Sequence, residues 1–388
     1  MRVLHLTTEF PPVIYGGLGT AIGGLVRASA SAGLQVGVLL FGSIAGSSYG
    51  QFVPLPKKIR LDQTRTDGSV TIFGVSWFQG IETCTRIAAN FRADILHLHS
   101  FWLWSTAQAL RDRLAKPLVY TVHSLDRAEY ELGQGPPQCI SQWVSQEAVI
   151  YSADRIIALS RSEQELLKQY CPGVNDRVRI VGNGIEEIAI APRLTCPARD
   201  MPIVLFTGRF VERKGIRELI DAIGIVLDQA PTTRFILAGG HRNCTGAEME
   251  SWLLPPTLNS YRSQIHFTGW LTPTQMAAWY RKADILVVPS WYEPFGMVVL
   301  EGMLYGLAVA ASAVGGPAEI LDHNRTGLLF RPRNVNALSH AILTLVKEPD
   351  RRIRIAVAGA KEVRKKWLWP RIVEKMQSVY SELVPLKA

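Results

Sequence analysis

Along this chain, short apolar runs alternate with stretches whose apolar residues recur at helical spacing. A first series of runs falls at Val3–Leu6, Val36–Phe41, Ile95–His99, Leu118–Val122, Arg155–Leu159 and Val178–Val181. Each is short, nearly uninterrupted in hydrophobicity and bounded by small or polar residues, namely Gly16-Gly17, Ser100, His123-Ser124, Ser160 and Asn183-Gly184. Such runs read as strands covered on both faces, and their alternation with helical patterns predicts parallel βαβ units. The pattern then breaks at Pro192-Arg-Leu-Thr-Cys-Pro-Ala-Arg-Asp-Met-Pro202, which has no clear period and reads as a linker. It restarts at Ile203–Phe206, Phe235–Ala238, Ile265–Phe267, Ile285–Pro289, Ala308–Ala311 and Gly327–Phe330. The last segment, Lys366 to Tyr380, is an amphipathic helix with Ile372, Met376, Val379 and Tyr380 on one side. The expected divisions are therefore residues 1–192, 193–365 and 366–388. In parallel sheets ligands collect at the carboxyl ends of strands, so the loops following these runs are where chemistry is expected.

Composition supports this picture. The length of 388 residues exceeds one ordinary core and suits two. Hydrophobic content of 47% and a mean hydropathy of +0.10 fit a well-packed α/β protein. Residues 28–56 carry no charge, but Gly33, Gly37, Gly42, Gly46 and Gly50 interrupt them. No block of about 18 apolar residues forms, so this segment reads as a helix end, a buried strand and a loop rather than a membrane span. The five cysteines form no C-x-x-C pair and the N-terminus lacks a signal-peptide layout. Together these predict reduced thiols and a cytoplasmic location. A net charge of +9 favours an acidic partner such as a nucleotide diphosphate or an anionic lipid surface. Nucleic acid is not expected, since no zinc-finger spacing or RNA-binding signature occurs. The basic runs Arg351-Arg352-Ile-Arg354 and Arg364-Lys365-Lys366 read as solvated helix faces.

The most informative stretch is Ser290-Trp-Tyr-Glu293-Pro-Phe-Gly296-Met-Val-Val-Leu-Glu301. It follows a strand-like run, turns at Pro294 and Gly296, and continues as a helix from Met297 to Tyr305. One carboxylate thus lies on the loop and a second about two turns into the helix. Free N–H groups at a helix start favour a phosphate group. Glu293 beside them suits a sugar's hydroxyls, and Glu301 those of a ribose. A second element, Val204-Leu-Phe-Thr-Gly208-Arg209-Phe-Val-Glu-Arg-Lys214-Gly215, places two cations five residues apart after a strand end. A third, Gly16-Gly17-Leu18-Gly19, follows the first strand, where glycines permit close backbone approach. His123 ends its strand; His97 and His99 read as packing and capping residues. No Asp-x-Asp occurs and no metal-ligand cluster stands out, so neither metal nor other cofactor is expected.

The Glu-Pro-Phe-Gly core with the second glutamate in register resembles the signature of the retaining GT-B glycosyltransferases of family 4, which includes bacterial glycogen synthases. The resemblance runs in order from Gly16 to Trp369. It implies an α/β fold with two Rossmann-like domains facing across a cleft, the first binding the acceptor and the second the nucleotide sugar. It also implies that the C-terminal helix crosses back to the first domain. Arg209 and Lys214 are then expected on the donor's phosphates, where fixed cations stabilise the charge that grows as the glycosidic bond breaks. Gly16, Gly17 and Gly19 would face the pyrophosphate, and Phe295, Gly296, Met297 and Glu301 would complete the donor site. Glu293 and His123 would lie close to the donor sugar. The loop Ala313-Val-Gly315-Gly316-Pro-Ala-Glu319 also matches the family and would lie near the donor, while Glu319 reads as structural and the glycines as setting loop geometry. Departures are Gly302, where the family usually has alanine, and the stretch His241-Arg-Asn-Cys-Thr-Gly-Ala-Glu248.

The implied reaction is metal-independent transfer of a hexose from a UDP-, ADP- or GDP-sugar to a hydroxyl of a sugar, lipid-linked sugar or small molecule. Retention by front-face return follows from the same resemblance, the leaving phosphate taking the acceptor's proton. Alternatives on the same fold are a nucleotide-sugar epimerase and an inactive sugar-nucleotide-binding protein. A glycoside hydrolase would need two carboxyl groups flanking one bond, whereas Glu293 and Glu301 lie on successive parts of one loop and helix. Lys57-Lys58-Ile-Arg60 with Trp77-Phe78 is a candidate for peripheral membrane contact.

Overall fold

The computed structural model describes residues 1–11, 14, 16–42, 70–76, 80–133, 140–188, 201–241 and 244–384. Most of the Pro192–Pro202 linker and the candidate membrane contact around Lys57–Arg60 and Trp77-Phe78 lie outside the described residues. The chain forms two compact units. One comprises Met1–Ala128, Pro136–Glu186 and Leu368–Ala388; the other comprises Glu129–Gly135 and Glu187–Trp367.

The strands of the first unit are β1 (Arg2–Thr7), β2 (Gln35–Gly42), β3 (Val70–Ser76), β4 (Ile95–Leu98), β5 (Leu118–Val122), β6 (Arg155–Ala158) and β7 (Val178–Ile180). They form one sheet in the order β3-β2-β1-β4-β5-β6-β7, and every pairing is parallel. The second unit has β8 (Ile203–Gly208), β9 (Arg234–Gly239), β10 (Ile265–Gly269), β11 (Ile285–Val288), β12 (Ala308–Ser312) and β13 (Leu328–Phe330). Its order, β10-β9-β8-β11-β12-β13, is again parallel throughout. Both orders reverse direction once, at β1/β4 and at β8/β11. The loops diverging from such a switch point leave a crevice at the strands' carboxyl ends.

The apolar runs form these strands because helices cover both sheet faces, leaving no wet side on which polar residues would alternate. In the second unit Val204, Phe206, Phe235, Leu237, Ile285 and Val287 are buried together with Leu219, Ile223 and Val226 of the Ile216–Gln229 helix. β3 escaped sequence reading. Val70-Thr-Ile-Phe-Gly-Val-Ser76 is a partly exposed edge interrupted by Gly74, and its register against β2 along its whole length supplies the order that its own pattern lacks.

The Trp369–Leu383 helix belongs to the first unit and buries Trp369, Ile372, Val373, Met376, Val379 and Tyr380, packing on the Gly17–Ser31 helix. Its anchor is Trp369, whose indole lies where two glycines leave room. A Cβ on Gly24 would sit 2.1 Å from Trp369 Nε1, and one on Gly184 would sit 2.6 Å from Trp369 Cδ2. Trp369 N–H donates to Ile185 O at 3.2 Å, fixing the helix start.

Candidate active site

In the second unit β8 and β11 flank the switch point, and the segments just beyond them touch before their loops separate. After β8 the chain makes a turn at Glu212–Lys214 and passes through Gly215 at φ +69°. A side chain there is excluded twice, by that dihedral and because a Cβ would lie 2.1 Å from Pro289 O, just beyond β11. Trp291 N–H donates to Arg213 O at 2.7 Å, tying the two loops together. This close approach joins Lys214 to Glu293, 79 positions apart in sequence, as an ion pair between Nζ and Oε2. Ser290 Oγ also donates to Glu293 Oε2, at 3.2 Å. Glu293 is 8% exposed. Burial alone would push its carboxyl up, but Lys214 and then Arg213 outweigh this and hold it below the usual glutamate value. Lys214 is lowered from the ordinary lysine value, chiefly by burial, with Arg213 and Arg209 adding repulsion and Glu293 opposing. Arg209 follows β8 directly and is exposed.

The backbone around Glu293 is held from the other side by the loop after β12. Gly315, at φ +47°, packs so closely that a Cβ would lie 2.1 Å from Glu293 O, and Gly316 N–H donates to that oxygen at 3.0 Å. Gly296, at φ +91°, begins the Met297–Leu304 helix without any side-chain cap. Val299 N–H donates back to Gly296 O at 2.9 Å, and the N–H groups ahead of it favour an anion, aided by the helix dipole. Phe295 is buried edge-on against Trp367, with ring centroids 5.5 Å apart. Met297 is partly exposed. Glu301 lies just over one turn into the helix, rather than two. There it accepts from Tyr280 Oη at 2.6 Å. Burial raises the Glu301 carboxyl above its usual value and the tyrosine offsets part of that. Tyr280 stacks on Tyr305, with centroids 5.1 Å apart.

In the first unit the Gly17–Ser31 helix starts at an exposed Gly16 whose backbone is extended, a conformation open to any residue, and a Cβ there would meet nothing within 4 Å. Gly17 is exposed too. Gly19 differs: its N–H already donates to Glu9 Oε2 at 3.3 Å, and a Cβ would press on Glu9 at 3.1 Å. His123 is half-buried at the end of β5, its Nε2 3.1 Å from His99 Nδ1. Burial lowers it to about 3.

The residues at strand ends are marked in the sequence, whereas those that complete them are not. Arg213, adjacent to Lys214, is a cation beside Glu293. Ser290 and Tyr280 hold the two glutamates. Arg213 and Ser290 lie within the quoted motifs but carry no assigned role there; Tyr280 sits 21 positions from Glu301 on another helix, with no local signal.

Two family models match the chain, one described as Glycosyltransferase Family 4 over residues 15–187 and one as Glycosyl transferases group 1 over residues 201–348. The alpha-maltose-1-phosphate synthase of Mycolicibacterium smegmatis is 30% identical, the match covering 99% of this chain and 100% of that protein. The chain belongs to the family 4 glycosyltransferases. Solved structures agree on the fold. Sucrose-phosphate synthase from Thermosynechococcus elongatus superposes with a TM-score of 0.78 at 24% identity, over 98% of each chain. Anabaena HepE in complex with UDP-glucose superposes with a TM-score of 0.73 at 20% identity, over 99% of this chain and 100% of that one. The glycosyltransferase therefore has the GT-B fold, two parallel-sheet Rossmann-like domains. Both family models stop short of Trp369, although the Trp369–Leu383 helix is an integral part of the first unit. No helix among the described residues is long and apolar enough to cross a membrane.

Proposed function

We propose that this glycosyltransferase moves a hexose from a nucleotide diphosphate sugar to a hydroxyl acceptor with retention of anomeric configuration and without a metal. The observation carrying this reading is the Lys214–Glu293 pair at the β8/β11 switch point, beside an uncapped helix start and a second, tyrosine-held carboxylate. Arg209 and Lys214 are assigned to the donor's diphosphate, together with the N–H groups at Met297. Glu301 is assigned to the ribose hydroxyls, and Glu293 and His123 to the hexose. Gly16 and Gly17 are assigned to the pyrophosphate; Gly19 serves this by geometry rather than by its N–H, which Glu9 occupies.

The chemistry follows from charge. As the glycosidic bond breaks, negative charge grows on the leaving diphosphate, and pre-aimed cations stabilise that state without reorganising. Their number replaces the divalent ion that a phosphate site otherwise uses. That HepE is solved with UDP-glucose supports a UDP-hexose as the first donor to try. The acceptor class stays with sugars, lipid-linked sugars and small hydroxyl compounds. The test is nucleotide release from UDP-, ADP- and GDP-hexoses, with and without candidate acceptors, followed by NMR of the product's anomeric carbon. Release that rises with acceptor and gives a product of unchanged configuration is expected. Inversion, or turnover of the sugar without acceptor into an epimer, would overturn the assignment.

A further inference from the structure

The first unit holds a row of imidazoles, of which the proposed transfer employs one. β1, β4 and β5 are neighbours, with His5 registered on His97. Residues two apart point to one sheet face, so His97 with His99, and Thr121 with His123, share a side. Three of these rings run in series. His5 Nδ1 lies 2.9 Å from His99 Nε2, and His99 Nδ1 lies 3.1 Å from His123 Nε2.

Nitrogen atoms of His5, His97 and His99 lie within 4.8 Å of one another, an arrangement that invites a cation. Most of these ring nitrogens are already engaged. His97 has both nitrogens engaged, Nδ1 with Tyr380 Oη at 2.6 Å and Nε2 with Thr121 Oγ1 at 2.7 Å. His99 likewise engages both of its own. A neutral imidazole has one donor and one acceptor, so a metal would have to displace bonds the chain already makes.

The same rule permits the series only two directions. In one, His123 donates to His99, His99 donates to His5, and His5 ends on an N–H at Nε2. In the other, His5 donates from Nδ1, His99 donates from Nδ1, and His5 ends on a bare lone pair. His5 Nε2 is buried and has no partner. An orphaned buried N–H is rarer and costlier than an unused acceptor site, which selects the second direction. Neutrality of the three rings is consistent: burial lowers His5 and His123 to about 3 and His99 well below its usual value.

We propose that His5 and His99 are positioning residues, forming a one-way hydrogen-bonded series that fixes His123 in its Nδ1–H form at the end of β5, as a donor for a ligand oxygen. The catalytic consequence rests on the reading of His123 as a hexose contact; the tautomer itself does not. Spectra of 15N-histidine-labelled protein correlating ring nitrogens with ring protons, at pH 7 and without ligand, distinguish the two forms. The expected result is His123 protonated at Nδ1. His5→Asn keeps an N–H donor where Nδ1 stood and should preserve that form; His5→Phe removes it and should leave His123 as a mixture. Nucleotide release from UDP-glucose, or from the donor the panel identifies, should fall about tenfold in His5→Phe and recover most of that in His5→Asn. His123 protonated at Nε2 in the native chain, or unaltered in His5→Phe, would overturn the proposal. Should His5→Phe fail to fold, the native and His5→Asn spectra decide it. A native chain with the expected tautomer but no turnover of any nucleotide sugar would overturn the functional reading instead.

Discussion

Neutralising Lys214 while Glu293 remains should damage the enzyme in two separable ways. The side chains are 18% and 10% exposed, so the pair is largely but not wholly removed from water. Breaking a fully buried pair from one side costs about 3–5 kcal/mol, because the remaining charge is left uncompensated. Here Ser290 still donates to Glu293 at 3.2 Å and Arg213 stays close. Lys214→Met is therefore expected to cost about 2 kcal/mol, a fall of about 4–8 °C for a unit of this size. Glu293→Gln, which strands the cation, should cost a similar amount. The double variant leaves neither charge exposed to the penalty and should return to within about 1 kcal/mol of the native protein, a coupling well outside additivity. Turnover should behave differently: under the proposed role, loss of the cation assigned to the leaving group costs about 3 kcal/mol, roughly a hundredfold, and the double variant should not regain it. Thermal melts and nucleotide release on the same preparations measure both. Single variants that melt like the native protein would refute the structural half. A double variant that recovers turnover along with stability would show that Lys214 serves only to satisfy Glu293. The pH dependence has a definite sign. Because the folded Glu293 carboxyl titrates below its ordinary value, its stabilisation is present above about 4.3 and is lost as pH falls through the lower folded value. Glu293→Gln should remove that acid-side slope.

Burial raises the Glu301 carboxyl, so nucleoside diphosphate affinity measured by calorimetry should decline on acidification before an ordinary glutamate would titrate. Tyr280→Phe should move that midpoint further up, and an unmoved midpoint would sever Glu301 from the ribose. Glu301→Ala should weaken nucleotide affinity, whereas Glu293→Ala should alter handling of the sugar; equal effects on both would remove the distinction. Trp369→Ala should destabilise the first unit by about 3–5 kcal/mol in denaturant melts. Gly24→Ala should also destabilise it, although the same change in an exposed helix would gain about 1 kcal/mol; a gain would place the Trp369 indole elsewhere. Transfer should persist in excess chelator, and activity abolished there and restored by magnesium or manganese would overturn metal independence.

Much of the fold is legible from local pattern because parallel strands covered on both sides leave long apolar runs, and each strand end is marked by small or polar residues. β3 is the exception, since an edge with Gly74 in it draws its order from β2 rather than from itself. The candidate site is legible to the extent that its parts lie near strand ends: Arg209, Lys214, Glu293 and Glu301 all fall in the loops and early helix turns after β8 and β11. What pairs them is not. Lys214 meets Glu293 only because Gly215 lets one loop press against Pro289, and Glu301 meets Tyr280 through the packing of two helices. The histidines show the same limit from the other side. His97 and His99 look like packing residues in sequence, and His97 is one, satisfied by Tyr380 and Thr121. His5 gives no signal at all within an apolar strand until the sheet register sets it beside them.

The ion pair has a consequence for how a donor enters, under the proposed reading. Without ligand, Lys214 and Glu293 satisfy one another, so neither is free for the role assigned to it. At about 4 Å and an effective dielectric of about 20, one such attraction is worth about 4 kcal/mol. A neutral sugar offers Lys214 hydroxyl acceptors but no charge, and would have to compete for a carboxylate already engaged. A diphosphate brings several negative charges to a place that also holds Arg209 and an uncapped helix start, so it replaces what Lys214 gives up. The exchange then releases Glu293, which keeps Arg213 beside it, to accept from the hexose hydroxyls. Recognition of the two halves of the donor is thereby coupled through one lysine: the charge that identifies the nucleotide frees the residue that reads the sugar. A site built this way discriminates against free sugars without any steric device, since the discrimination lies in which partner Lys214 holds.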